Sequence, residues 1–115
     1  MEKINELAGK VLLQIYIIYK ESNEKPQFSK LLEETKLQRE QLERVLEYCN
    51  DEGFLEIKII KMLSGEKIFN ILRITSKGIN TIEKPKEKSG KSLFNLMFNT
   101  NLNIESIIKG EAKLF

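Results

Sequence analysis

Residues 28–83 read FSKLLEETKLQREQLERVLEYCNDEGFLEIKIIKMLSGEKIFNILRITSKGINTIE, and a change of period inside this stretch decides the fold. Phe28, Leu31 and Leu32 recur at helical spacing and predict a short helix from about Phe28 to Thr35. Leu42, Val45, Leu46 and Cys49 predict another from about Gln38 to Glu52. Thr35-Lys36-Leu37 makes the turn between them, with Leu37 plugging the angle. Gly53 is placed to take the left-handed conformation that ends a helix. The pattern then becomes extended. Residues 54–62 are apolar and β-branched, and residues 67–74 alternate. The alternation puts Ile68, Asn70, Leu72 and Ile74 on one side and Phe69, Ile71 and Arg73 on the other. Ser64-Gly65 joins the two strands as a hairpin. Thr75 or Ser76 caps a last short helix that holds Ile79 and Ile82.

Upstream, residues 3–20 form a helix in which Ile4, Leu7, Ala8, Val11, Leu12, Ile15, Ile18 and Tyr19 recur every three or four positions. Leu13, Tyr16 and Ile17 widen the stripe, so the second half is buried on more than one side, in the core or against a second subunit. Pro26 ends it by removing a backbone donor and turning Lys25 away from helix. Downstream, residues 84–92 are a polar linker. From Phe94 to Ile104 the sequence alternates, with Phe94, Leu96, Phe98, Leu102 and Ile104 set against Asn95, Asn99, Asn101 and Asn103. This period predicts a strand with one apolar and one amide face. Residues 105–115 suit an amphipathic helix carrying Ile107, Ile108 and Phe115. The chain thus divides into a domain (1–83), a linker (84–92) and a strand-plus-helix arm (93–115).

Helix, turn, helix, hairpin and short helix in this order resemble the winged helix-turn-helix domains of prokaryotic DNA-binding regulators, over roughly residues 4–83. The motif from Phe28 to Leu37, the Leu42–Leu55 helix-to-strand junction and Ile74-Thr75-Ser76-Lys77-Gly78-Ile79 carry the resemblance. It implies an α+β fold of three helices plus a two-stranded wing and a following helix. It also implies that the third helix enters the major groove while the wing touches the minor groove or backbone. On this chain the DNA-binding residues would be Lys36, Gln38, Arg39, Gln41 and Arg44, with Lys61 and Lys67 meeting phosphates near the wing tip. Such regulators bind paired half-sites as dimers. The tail's apolar side chains, Phe94, Leu96, Phe98, Leu102, Ile104, Ile107, Ile108 and Phe115, are therefore expected to assemble a homodimer or larger oligomer.

Charge distribution supports and opposes this reading in different places. The net charge is +2, but residues 1–57 hold eight basic and twelve acidic groups, while residues 58–91 hold nine basic and three acidic. Glu40, Glu43, Arg44 and Glu47 share the third helix's outward face, giving it a net of −2. Carboxylates are repelled by phosphate unless a base donates to them. Glu43 with Glu47 is a like-charge i,i+4 pair, and Glu40 with Arg44 is a favourable one. Two functions follow from this balance. One is a dimeric transcriptional regulator bound to double-stranded DNA. The other is a winged-helix assembly module that contacts another protein and reads no DNA.

Other chemistry has little to work with. There is no histidine, and Cys49 is the single cysteine, on a helix face that also carries Leu42, Val45 and Leu46. A metal ligand set, an activated nucleophile and an acid–base pair are all missing, so neither a cofactor nor enzymatic activity is expected. Tyr16, Tyr19 and Tyr48 lie on or beside buried stripes and serve packing. Ser64-Gly65-Glu66-Lys67 lacks the spacing of a phosphate loop. No apolar run is long enough to span a bilayer, and the N-terminus lacks the apolar segment of a signal peptide. A cytoplasmic protein is expected, in keeping with its lone thiol.

Overall fold

The computed structural model describes residues 3–22, 24–84 and 92–111. It is α+β, with six helices and one two-stranded antiparallel sheet among these residues. The order is α1 (Ile4–Ser22), α2 (Phe28–Thr35), α3 (Arg39–Asp51), β1 (Leu55–Lys61), β2 (Lys67–Ile74), α4 (Ser76–Glu83), α5 (Leu93–Phe98) and α6 (Ile104–Ile108). The linker residues 85–91, and Phe115 at the end of the tail, lie outside the described residues.

Helix α1 is the central element. Ala8, Val11, Leu12, Leu13, Ile15 and Tyr16 are all buried, which leaves little of its middle facing solvent. A helix that is apolar most of the way round must be covered by several neighbours. Here α3, α4, α5 and β2 all pack on it. The Tyr16 hydroxyl donates to the Glu83 carboxylate, so the one polar atom of that buried ring is satisfied at the end of α4.

Local rules fix the junctions. Lys36 turns the chain between α2 and α3 with φ 58°, and its N–H donates to Leu32 O. Thr35 is buried there, its hydroxyl donating to Leu31 O and accepting from Leu37 N–H. At the end of α3, Phe54 N–H reaches Cys49 O (2.9 Å) and Gly53 N–H reaches Asn50 O (3.1 Å), with Gly53 at φ +82°. That is the six-to-one and five-to-two bonding of a Schellman stop. The Asn50 side chain accepts from Ile57 N–H, the third residue of β1, and so ties the end of α3 to the strand. Thr75 caps α4, its hydroxyl accepting from Gly78 N–H while donating to the Gly53 and Phe54 carbonyls.

In the hairpin, the strict alternation expected for residues 67–74 fails at one point. Ile57 pairs with Ile71 and Glu56 pairs with Arg73, so Leu72 is an extra residue in β2. This bulge shifts the phase. Phe69 and Ile71 face the core below it and Ile74 faces the core above it. The expected grouping of Ile68 and Leu72 with Ile74 is thereby corrected: Ile68 is exposed and Leu72 half-buried.

The largest correction concerns the tail. Residues 94–104 are not a strand but helix α5, a turn, and the start of α6. The asparagines are the reason. Ser92 caps α5 by accepting from Asn95 N–H. Asn99 takes the left-handed conformation at φ 52° and ends it. The Asn95 side chain brackets the turn, donating to Leu102 O and accepting from Leu102 N–H and the Thr100 hydroxyl. Asn103 caps α6 by accepting from Ser106 N–H. Asn95, Asn99 and Asn103, four residues apart, give the backbone turn and cap conformations in place of a ladder. Phe94 and Phe98 then fall one helical turn apart and both enter the core.

Candidate functional site

The exposed face of α3 and the free end of the β1–β2 hairpin frame a cleft of about 640 Å³, lined by Arg39, Glu40, Glu43, Gly65, Glu66 and Lys67. Helix α3 is held there by Leu42, Val45, Leu46 and Cys49, all buried, so its opposite side faces out. Of the seven residues expected to meet DNA, Arg39 and Lys67 line this cleft.

These two cations have partners. Arg39 stacks 5.0 Å above the Phe28 ring, and its Nε lies 3.4 Å from Glu43. Phe28 stacks in turn on Phe69 of β2 at 5.7 Å. Arg39 is therefore the outer layer of a three-part stack that ties α3 to α2 and the sheet. Lys67 Nζ lies 2.7 Å from Glu47 Oε1. That hydrogen bond is the main reason its ammonium pKa is raised. Glu43 and Glu47 thus each take a cation instead of merely repelling one another, and Arg44 forms no pair with Glu40 among the described residues. One pair, Arg39–Glu43, is an i,i+4 contact within α3, and the other, Lys67–Glu47, joins residues 20 positions apart.

The remaining expected residues divide by role. Gln41 Oε1 accepts from Gln38 N–H at 3.0 Å, so this amide serves the start of α3 as half of a capping box. Lys36 and Arg44 are exposed and hold no ion-pair partner among the described residues. Lys61 stands directly across the ladder from Lys67. Two ammonium groups opposed on one sheet face repel, and Glu47 answers only one of them.

Sequence reasoning missed a second feature of the hairpin. Ile60 pairs with Ile68 on its outer side, and both are exposed, with Met62 and Leu63 beyond them. Extra apolar residues on alternate positions of both strands were the available signal, because a sheet with one buried face needs only half of them apolar.

The residues expected to drive oligomerisation are mostly spent inside the chain. Phe94 and Phe98 are 0% and 1% exposed, and Ile104 and Ile107 are buried as well. Leu102 and Ile108 are half-buried against the same core. Of the described members of that set only Leu96, at 51%, is well exposed, beside Met97. Among the described residues, no helix is long and apolar enough to cross a membrane.

Compared with protein-family models, curated proteins and solved structures, the chain finds no match.

Proposed function

We propose that residues 4–83 are a winged helix-turn-helix that binds duplex DNA, with α3 as the groove-facing helix and the β1–β2 hairpin as the wing. The observation that carries this reading is Lys61 set directly across from Lys67 at the open end of the hairpin, beside the exposed side of α3. An anion lying across that pair relieves their repulsion, and a phosphate backbone supplies a row of anions. Lys36 and Arg44 add two unpaired cations, with Arg44 on the outward side of α3. Transcriptional regulation in the cytoplasm is the role that fits such a module. Binding as a homodimer would use what α5 leaves exposed, Leu96 and Met97, and not the buried phenylalanines.

Fluorescence anisotropy with an AT-rich duplex across a salt series tests the reading. Binding should weaken steeply with salt, and Lys61→Ala and Arg44→Ala should each lower the slope of log K against log salt by about one. No binding at low salt would sink it.

A second reading rests on the exposed Ile60, Met62, Leu63 and Ile68. An apolar hairpin end next to an acidic helix suits a protein-contacting module that reads no DNA. Failure of the salt series would turn attention there.

A further inference from the structure

Three carboxylates, Glu40, Glu43 and Glu47, stand on the exposed side of α3, and two of them are engaged. Glu43 lies 3.4 Å from Arg39 and Glu47 lies 2.7 Å from Lys67. Glu40 is exposed in the first turn of α3 and, among the described residues, has neither a hydrogen bond nor an ion pair. The acidity of the helix face is thus reduced to one bare carboxylate, at the end of α3 nearest the hairpin turn.

We infer that Glu40 is a specificity-determining residue that accepts a hydrogen bond from the N4 amino group of a cytosine in the major groove. The inference rests on the DNA reading and adds to it the residue and the base. In the major groove a carboxylate can approach only a donor. Guanine and thymine offer it acceptors, and adenine places its N7 acceptor next to the N6 donor. Cytosine alone shows a donor without an acceptor on the same edge. A free Glu40 therefore favours a C·G pair at one position and disfavours the others.

The experiment uses the full chain. Duplexes bound by the wild type, Glu40→Ala and Glu40→Gln are selected from a randomised library. Affinities are then measured on the selected duplex and on single base-pair changes of it. The wild type should show one C·G position whose replacement costs about tenfold in affinity. Glu40→Ala should lose the preference at that position alone, and Glu40→Gln should move it toward adenine. Thermal melts of the three proteins should differ by no more than the small helix-dipole contribution of a first-turn carboxylate, since Glu40 has neither a hydrogen bond nor an ion pair among the described residues. If both variants bind every duplex more tightly and equally so, Glu40 only repels phosphate and the inference is wrong. A C·G preference unchanged in Glu40→Ala overturns it as well. If the wild type binds no duplex even at low salt, the DNA reading has failed and takes this inference with it.

Discussion

Phe98 fills the notch that Gly9 leaves in α1: a Cβ at position 9 would lie 2.6 Å from the Phe98 Cβ and 2.8 Å from its Cγ. Phe98 also meets Phe94 at 4.8 Å and Phe54 at 5.5 Å, between ring centroids. In an open helix, Gly→Ala stabilises by about 1 kcal/mol. Here the sign should reverse, because forcing a methyl into a filled site costs about 1–3 kcal/mol. Gly9→Ala should lower the urea midpoint in the wild-type background and raise it in a Phe98→Gly background, where the Cβ that it would meet is gone. Stabilisation by Gly9→Ala in both backgrounds would show that α5 does not sit in this notch.

The same contact predicts the effect of removing the tail. Burying a phenylalanine contributes about 1.5–3 kcal/mol, and α5 buries two. A domain has about 5–15 kcal/mol in all, so a chain ending at residue 91, which loses about 3–6 kcal/mol from these two rings, should be strongly destabilised. Circular dichroism during urea titration should show a broad transition at low urea, or none. A cooperative, soluble monomer from that truncation would mean that the tail is an appendage and not part of the core.

How far the sequence disclosed the structure depends on what each signal rests on. Helices α1 to α4 and the hairpin were legible because their apolar spacing is long and the stops are local. Gly53, Pro26 and Thr75 act through backbone chemistry that the residue itself carries. The Leu72 bulge was not legible, since one extra residue changes no composition and is chosen by the core on both sides of it. The tail misled because Phe94, Leu96 and Phe98 satisfy a period of two, while the Phe94–Phe98 pair also satisfies one helical turn. Asn95 decides between them through bonds to Leu102 and Thr100. In the candidate site, the helix face was legible, but its pairing was not. Lys67 finds Glu47 across 20 positions, and Arg39 finds the Phe28 ring on another helix.

Alkaline pH should destabilise the fold through Cys49. Burial, and secondarily Glu52, push its thiol up to about 12, against about 8.5 in an unfolded chain. The native state keeps its proton where the unfolded state loses it. Stability is therefore intact below the unfolded value and falls as pH rises toward the folded one. The loss should reach about 2 kcal/mol between about pH 8 and pH 10. Tyr16, raised mainly by burial and then by Glu83, adds to the fall at higher pH. Urea melts at stepped pH should show this limb in the wild type and a much shallower one in Cys49→Ala. The slopes are compared and not the offsets, because the substitution also leaves a small cavity. Equal slopes would mean that the thiol is not held neutral by the core.

Arg39 and Arg44, both on α3 and both expected to meet DNA, should behave differently before any DNA is added. Arg39 lies over Phe28 and beside Glu43. An exposed cation–π contact contributes about 0.5–1 kcal/mol, and an exposed i,i+4 ion pair about 0.3–0.5 kcal/mol. Arg39→Ala should therefore cost about 1 kcal/mol in chemical denaturation, and Arg39→Lys should recover less than half, because an ammonium cannot lie flat on the ring. Arg44→Ala should leave the midpoint unchanged, since Arg44 holds no partner among the described residues. A loss of DNA binding in Arg39→Ala would then combine a perturbed helix start with a missing charge, whereas the same loss in Arg44→Ala would report the charge alone. If Arg44→Ala proves as destabilising as Arg39→Ala, the Phe28 stack is not what separates them. The division of α3 between an arginine that packs and one that is free would then be abandoned.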